Sequence, residues 1–99
     1  MKVTKQVSSG TLTVLIDGRI DTITAPILER ELNNSVTNDI NCLIFDFEKV
    51  EYMSSAGIRV IMVADKVMSK QGEMKLIHVS EEVFDIFDIT GLADLLTIE

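Results

Sequence analysis

Two adjacent hydroxyl side chains, Ser54 and Ser55, are the residues of this sequence best placed to take part in chemistry. They follow a run typical of a buried strand, Leu43–Phe47, and precede an apolar run with helical spacing that begins at Ile58. The first N–H groups of a helix have no partner within the helix, so a serine oxygen there lies beside donors that favour a phosphate group. The pair therefore admits two interpretations: a serine that caps the helix, or a serine that accepts a phosphate.

The pattern does not support a catalytic site. The G-x-S-x-G nucleophile elbow needs a glycine two residues before the serine, and that glycine is missing before both serines. His78, the only histidine, stands near the end of an apolar strand-like run, where we expect it to pack rather than to act as a base. Gly18 and Gly57 match neither standard phosphate-binding loop. An enzyme that used Ser55 as its nucleophile would lack a base, so we predict no catalytic residue, cofactor or metal.

The composition narrows the classes of partner. The 99 residues are 46% hydrophobic and 25% charged, which is typical of one globular domain spanning residues 1–99. The net charge of −7 argues against nucleic acids and anionic membranes, which select basic faces, and is compatible with a basic protein partner. A single cysteine and the absence of a signal-like or bilayer-spanning apolar run predict a cytoplasmic protein without membrane insertion.

Hydrophobic periodicity predicts five strands and three helices in the order β-β-α-β-α-β-α-β. The predicted strands are Val3–Val7, Leu12–Ile16 closed by Asp17-Gly18, Leu43–Phe47, Met74–Val79 and Leu95–Ile98. The predicted helices start at Thr22 or Thr24 with Pro26 in the first turn, at Ser55 and at Ser80, and glycines 72 and 91 end the last two. Val67 and Phe84 are expected among the buried residues of these helices.

Strands that alternate with helices imply right-handed crossovers and a mostly parallel sheet, with the N-terminal strand antiparallel. The fold class predicted is therefore a single α/β domain. Loops after parallel strands emerge at the same edge of a sheet, so Asp21 is expected near Ser54 and Ser55. There Asp21 either helps to cap the first helix or forms an acidic rim beside the serines.

The chain resembles the anti-sigma factor antagonists of the bacterial STAS-domain family over essentially all of its length. The resemblance is carried by segments that occur in family order: Asp17–Asp21 with Thr24 and Ala25, Leu43–Phe47, Val50–Ile58 and Phe87–Leu92. It implies a STAS-like fold. Many members add a C-terminal helix after the last strand, and we expect that helix to be absent because nothing follows Glu99.

The resemblance also implies a regulatory cycle. In that family a serine kinase, which is also the anti-sigma factor, phosphorylates a serine at the start of the second helix. Aligned through Met53 and Gly57, that serine corresponds to Ser55. The unmodified antagonist binds the anti-sigma factor and releases the sigma factor, phosphorylation ends this binding, and a PP2C-type phosphatase restores it.

Further residues are implied to contact the partner: Asp21, which matches a family aspartate beside the phosphorylation site, and Thr24, Ser54, Ala56 and Gly57. The chain departs from the family pattern at Ser54, where many members have aspartate. An alternative is a STAS module that is not phosphorylated, for instance a subunit of a transporter or signalling assembly, which would use the same surface for shape recognition alone. Many such modules lack a serine at this position, so Ser55 favours the switch.

Overall fold

Five strands and three helices alternate along the chain in the predicted order. A computed structural model describes residues 1–99. The elements are β1 (Lys2–Ser8), β2 (Thr11–Ile20), α1 (Ala25–Ser35), β3 (Cys42–Met53), α2 (Ser55–Met68), β4 (Glu73–Ile77), α3 (Glu81–Ile89) and β5 (Thr97–Ile98).

The strands form one sheet in the order β1-β2-β3-β4-β5. β1 runs antiparallel to β2 across a turn at Ser9 and Gly10, which both have positive φ, as a tight hairpin requires. The remaining pairs are parallel. Alternate side chains of the strands join the apolar sides of the helices in one core of 23 buried residues. The predicted fold class, a mixed sheet with an antiparallel first strand, is confirmed.

β2 and β3 are longer than predicted. Asp17-Gly18 does not close β2, which continues to Ile20, and β3 continues to Met53. The pairing register of β2 and β3 shifts twice, and at each shift β3 contributes one extra residue. From Leu15 to Asp17, two steps along β2 lie opposite three steps along β3 (residues 46 to 49). The next shift places one step along β2 opposite two steps along β3. The extra residues are β-bulges, and they space the buried side chains of β3 at residues 47, 50 and 53. Since that spacing departs from the period of two, the sequence pattern did not show the strand's second half.

Three residues predicted to be buried are not. Val67 is 41% exposed and Phe84 is 37% exposed, because the buried sides of their helices lie at Ile61, Ala64 and Met68 and at Val83 and Phe87. The prediction that His78 packs at a strand end is also wrong. His78 follows β4 with a positive φ of 57°, and its side chain is 55% exposed.

The sequence predicted Gly72 as the glycine that ends α2, but the structure requires a glycine there for a different reason. Its φ is not positive, so it is not a left-handed helix cap, and α2 ends at Met68. A Cβ atom on Gly72 would lie 1.9 Å from the carbonyl oxygen of Asn41, and Glu73 N–H donates to that same oxygen. Gly72 therefore lets the start of β4 approach the backbone before β3.

We predict that Gly72→Ala destabilises the domain by at least about 1–3 kcal/mol, because backbone must move to admit the methyl group. Urea unfolding followed by circular dichroism measures this free energy. Gly91→Asn is the control, since Gly91 has open space around it and asparagine tolerates its positive φ. Equal stability of Gly72→Ala and the wild type would contradict this account of Gly72.

Candidate functional site

The serine pair lies where the carboxyl ends of β2 and β3 meet. Ile20 and Met53, the last residues of these strands, are partners in the sheet. The Ser54 N–H then donates to the Ile20 carbonyl at 2.8 Å, which ties the start of α2 to the end of β2. The segment that follows Ile20 is thereby held beside the serines. We call the surface formed by Asp21–Thr24 and Ser54–Gly57 the serine corner.

The two serines have different roles in the structure. Ser54 is the N-cap of α2, with extended backbone (φ −90°, ψ 174°), and its Oγ accepts a long hydrogen bond of 3.4 Å from Gly57 N–H. Ser55 is the first helical residue and its side chain is exposed. Since Ser54 does the capping, the Ser55 hydroxyl is left facing solvent beside the helix N-terminus.

Gly57 sets how closely α2 approaches the sheet. A Cβ atom at this position would lie 2.6 Å from Cγ2 of Ile20 and 3.1 Å from Cγ of Met53. Both of those side chains are buried and belong to the strand ends on which the helix rests. The missing side chain therefore allows the first turn of α2, and with it Ser55, to sit directly against the ends of β2 and β3.

Asp21 organises the loop beside the serines. Its Oδ1 accepts hydrogen bonds from the N–H groups of Ile23 and Thr24, both at 3.0 Å. The Thr24 N–H, together with that of Ile23, outweighs burial and lowers the pKa of the Asp21 carboxyl, so this group stays ionised at neutral pH. Asp21 thus adds a fixed negative charge to the serine corner.

The sequence had suggested Thr24 as a possible cap of α1. Thr24 does stand at the N-cap position, but its side chain makes no capping hydrogen bond. Its hydroxyl donates to the Arg19 carbonyl at 2.8 Å and accepts from the Asp21 N–H, also at 2.8 Å. These bonds close the loop between β2 and α1 into a turn. Thr24 therefore shapes the loop, and Pro26 lies in the first turn of α1 as predicted.

Exposed apolar groups flank the corner, and sequence reasoning did not single them out. Ile23, at the tip of the Asp21–Thr24 turn, is 78% exposed. Tyr52, two residues before Ser54, is partly exposed, and the Arg19 guanidinium lies 4.5 Å from its ring centre. The sequence signal that could have revealed Ile23 as a contact residue was an isoleucine within a polar turn, where an apolar side chain has no core to fill.

A shallow depression of about 150 Å³ opens beside the corner, between the first turns of α1 and α2. Ala56, which was predicted to contact a partner, lines it together with Pro26 and Arg59. Farther along the same helices lies an apolar groove of about 160 Å³. Glu29 and Val60 line both spaces, so they adjoin.

A second cluster of polar side chains lies away from the serine corner, around His78. Its Nδ1 is 2.9 Å from Oδ1 of Asp46 and 4.0 Å from Oε2 of Glu48. Burial opposes ionisation of Asp46, but hydrogen bonds from His78 and from the Glu48 N–H lower the pKa of its carboxyl overall. The hydrogen bond with Asp46 also raises the pKa of His78. Spacing along the chain did not reveal this cluster, because 30 residues separate His78 from Glu48.

None of the three helices combines the length and the apolar character that crossing a membrane would require.

Several known proteins that are similar to this chain are named anti-sigma factor antagonists. The anti-sigma-B factor antagonist of Bacillus subtilis (strain 168) is 37% identical over 86 residues, which are 86% of this chain and 78% of that protein. The crystal structure of an anti-sigma factor antagonist from Mycobacterium paratuberculosis superposes with a TM-score of 0.89 at 22% identity, over 98% of this chain and 83% of that one.

The Bacillus cell fate determinant SpoIIAA, solved in its phosphorylated form, superposes with a TM-score of 0.77 at 16% identity, over 99% of this chain and 91% of that one. At these low sequence identities, the solved structures show similarity of fold alone. The sequence model of the STAS domain matches residues 2–99. The chain therefore belongs to the STAS domain family.

Proposed function

We propose that this protein is an anti-sigma factor antagonist that is switched off by phosphorylation of Ser55. In its unmodified form it binds an anti-sigma factor that is also a serine kinase, and the sigma factor is released. The observation that carries the proposal is the division of roles between the serines: Ser54 caps α2 and leaves the Ser55 hydroxyl exposed. The names of the relatives support the general role, and the proposed site of action is the cytoplasm, where sigma factors work.

The chemistry of the switch belongs to the partner enzymes. In the kinase step the Ser55 oxygen attacks the γ-phosphorus of ATP, ADP leaves, and the hydroxyl proton passes to a base of the kinase. In the reverse step a PP2C-type phosphatase hydrolyses the ester with water and returns serine and inorganic phosphate. This chain supplies an accessible nucleophilic oxygen on a turn that Gly57 and the Ser54–Ile20 hydrogen bond hold in place.

Phosphorylation would alter the surface more than the fold. The phosphate adds about −1.5 to −2 charges at neutral pH. The N-terminus of α2 accommodates negative charge, with a stabilisation of about 0.3–1 kcal/mol, so the helix stays intact. The same phosphate stands beside the ionised Asp21 on a chain of net charge −7. A partner surface shaped for the neutral hydroxyl therefore meets added bulk and repulsion.

The proposed partner surface has a polar centre and an apolar border. Ser55 and Asp21 provide the centre, and Ile23 is the most exposed apolar side chain beside it. Energetic hot spots of interfaces are side chains that become fully desolvated in a pocket of the partner. We therefore assign Ile23 as an anchor of the anti-sigma factor complex.

The acceptor is tested by mixing the protein with its cognate anti-sigma kinase and ATP and mapping the phosphate by mass spectrometry. We expect a single phosphate on Ser55, none on Ser55→Ala, and retained phosphorylation of Ser54→Ala, which loses the cap but keeps the acceptor. Modification confined to Ser54, or an unmodified wild-type chain that still binds the kinase, would contradict the switch. The latter result would favour a STAS module that recognises its partner by shape alone.

The role of charge is tested with a matched pair of substitutions at the acceptor. Ser55→Asp should weaken binding to the anti-sigma factor by at least about tenfold, because unfavourable charge placement at an interface costs several kcal/mol. Ser55→Asn has nearly the same size without the charge and should bind close to the wild type. Isothermal titration calorimetry measures both affinities. Equal losses from the two substitutions would show that size, rather than charge, disrupts the complex.

The anchor is tested by comparing Ile23→Ser with Ile89→Ser. Both isoleucines are largely exposed, at 78% and 85%, so neither change should alter the stability of the free domain appreciably. Only Ile23 lies in the serine corner, and its loss should weaken anti-sigma factor binding by about tenfold or more. If Ile23→Ser bound the anti-sigma factor with wild-type affinity, Ile23 would not be an anchor of the interface, whatever the outcome at Ser55.

A further inference from the structure

We propose that Asp46, Glu48 and His78 form a binding site for a divalent transition metal ion, with Zn²⁺ the best match. The site lies where β4 ends beside β3, away from the serine corner, and is independent of the proposed switch. Their ligand atoms, one from each side chain, all lie within 4.8 Å of one another.

The spacing of the ligand atoms fits a single small ion. Zinc ligands of these types bind at about 2.1 Å, and two such atoms at a tetrahedral angle are about 3.4 Å apart. In this cluster Nδ1 of His78 is 2.9 Å from the Asp46 oxygen and 4.0 Å from the Glu48 oxygen. The two distances bracket the tetrahedral value.

Backbone geometry brings the three side chains together. Asp46 is the last residue of β3 that pairs with β4, opposite Ile77, so the next residue, His78, emerges beside it. The positive φ of His78, a rare conformation for a residue with a side chain, turns the chain at this point. On β3 the first bulge lies between residues 46 and 49, and the Glu48 N–H donates to Asp46 Oδ1 at 3.0 Å. Asp46 and Glu48 are two residues apart, the spacing that places side chains on the same face of a strand.

Charge and burial also suit a cation. Asp46 is only 14% exposed and forms the inner ligand, while His78 and Glu48 are 55% and 71% exposed and leave room for water. With neutral imidazole the set carries two negative charges, which match a divalent ion. An adjoining cavity holds Asp17, Lys2 and Lys49, and neither lysine forms an ion pair with Asp46 or Glu48.

The donor types select the class of metal. Magnesium and calcium prefer oxygen ligands throughout, whereas an imidazole nitrogen suits zinc, copper, nickel and iron. Three protein ligands with an open position for water are a common zinc arrangement. A bound ion would link β3 to the segment between β4 and α3. Because it would bind only the folded chain, it would raise the free energy of unfolding by RT ln(1 + c/Kd), where c is the concentration of free metal.

The test is titration of the purified full chain with zinc chloride by isothermal titration calorimetry, paired with thermal unfolding. We expect one zinc per chain and a rise in Tm with zinc. His78→Asn should weaken binding by at least about tenfold, since even the loss of an outer-shell partner costs 10- to 100-fold. Asparagine tolerates the positive φ, so the fold should survive. Glu48→Gln tests a second proposed ligand, at an exposed position where the substitution does not alter the backbone conformation.

Two controls separate this cluster from other binding. Glu51→Gln removes an exposed carboxylate from the same strand, outside the cluster, and should leave zinc affinity unchanged. Cys42→Ser removes the only thiol and should have no effect either. The proposal is overturned by the absence of saturable zinc binding to the wild type. It is equally overturned if His78→Asn and Glu48→Gln bind zinc like the wild type, or if Cys42→Ser abolishes binding.

Discussion

The contact between the last residues of β2 and β3 is the constraint on which the serine corner depends. Ile20 pairs with Met53 in the sheet, its carbonyl accepts the Ser54 N–H, and its methyl group fills the space that Gly57 leaves open. Each of these contacts fixes the start of α2 relative to the loop after β2. Because the contacts involve backbone and buried side chains, they leave the Ser55 hydroxyl free while holding it in one place.

In the proposed switch, this fixed geometry would let phosphorylation of Ser55 act without refolding the domain. The N-terminus of α2 favours negative charge, so a phosphate there does not threaten the helix. The hydrogen bonds of Asp21 are made to backbone N–H groups of its own turn, so its charge remains beside the serines and is not drawn into an ion pair elsewhere. The proposed modification would therefore act on the partner that faces the serine corner. The proposed switch needs only local electrostatics at the interface, without a second conformation of the domain.

The Asp46–Glu48–His78 cluster shows the other consequence of the long third strand. β3 continues through residues 47–53 paired with β2 alone, since its pairing with β4 ends at Asp46. The end of β4 therefore meets the middle of β3 rather than its tip. Asp46 and Glu48, two residues apart in the middle of β3, lie beside the end of β4, which His78 follows. The middle and the carboxyl end of β3 thus hold two separate clusters of polar side chains.

The sequence by itself determined the order of elements, the fold class and the position of the serine pair, because these follow from local periodicity, turn residues and the N-terminal preferences of helices. The residues alone left two interpretations of the serines open, and the family resemblance assigned the acceptor to Ser55. The tertiary structure added that Ser54 is the N-cap of α2. The tertiary structure alone decided the bulges that lengthen β3, the exposed position of Val67 and the contact that makes Gly72 necessary. It also placed His78 beside Asp46. These features arise from register and contact between segments far apart in the chain, which a local pattern does not encode.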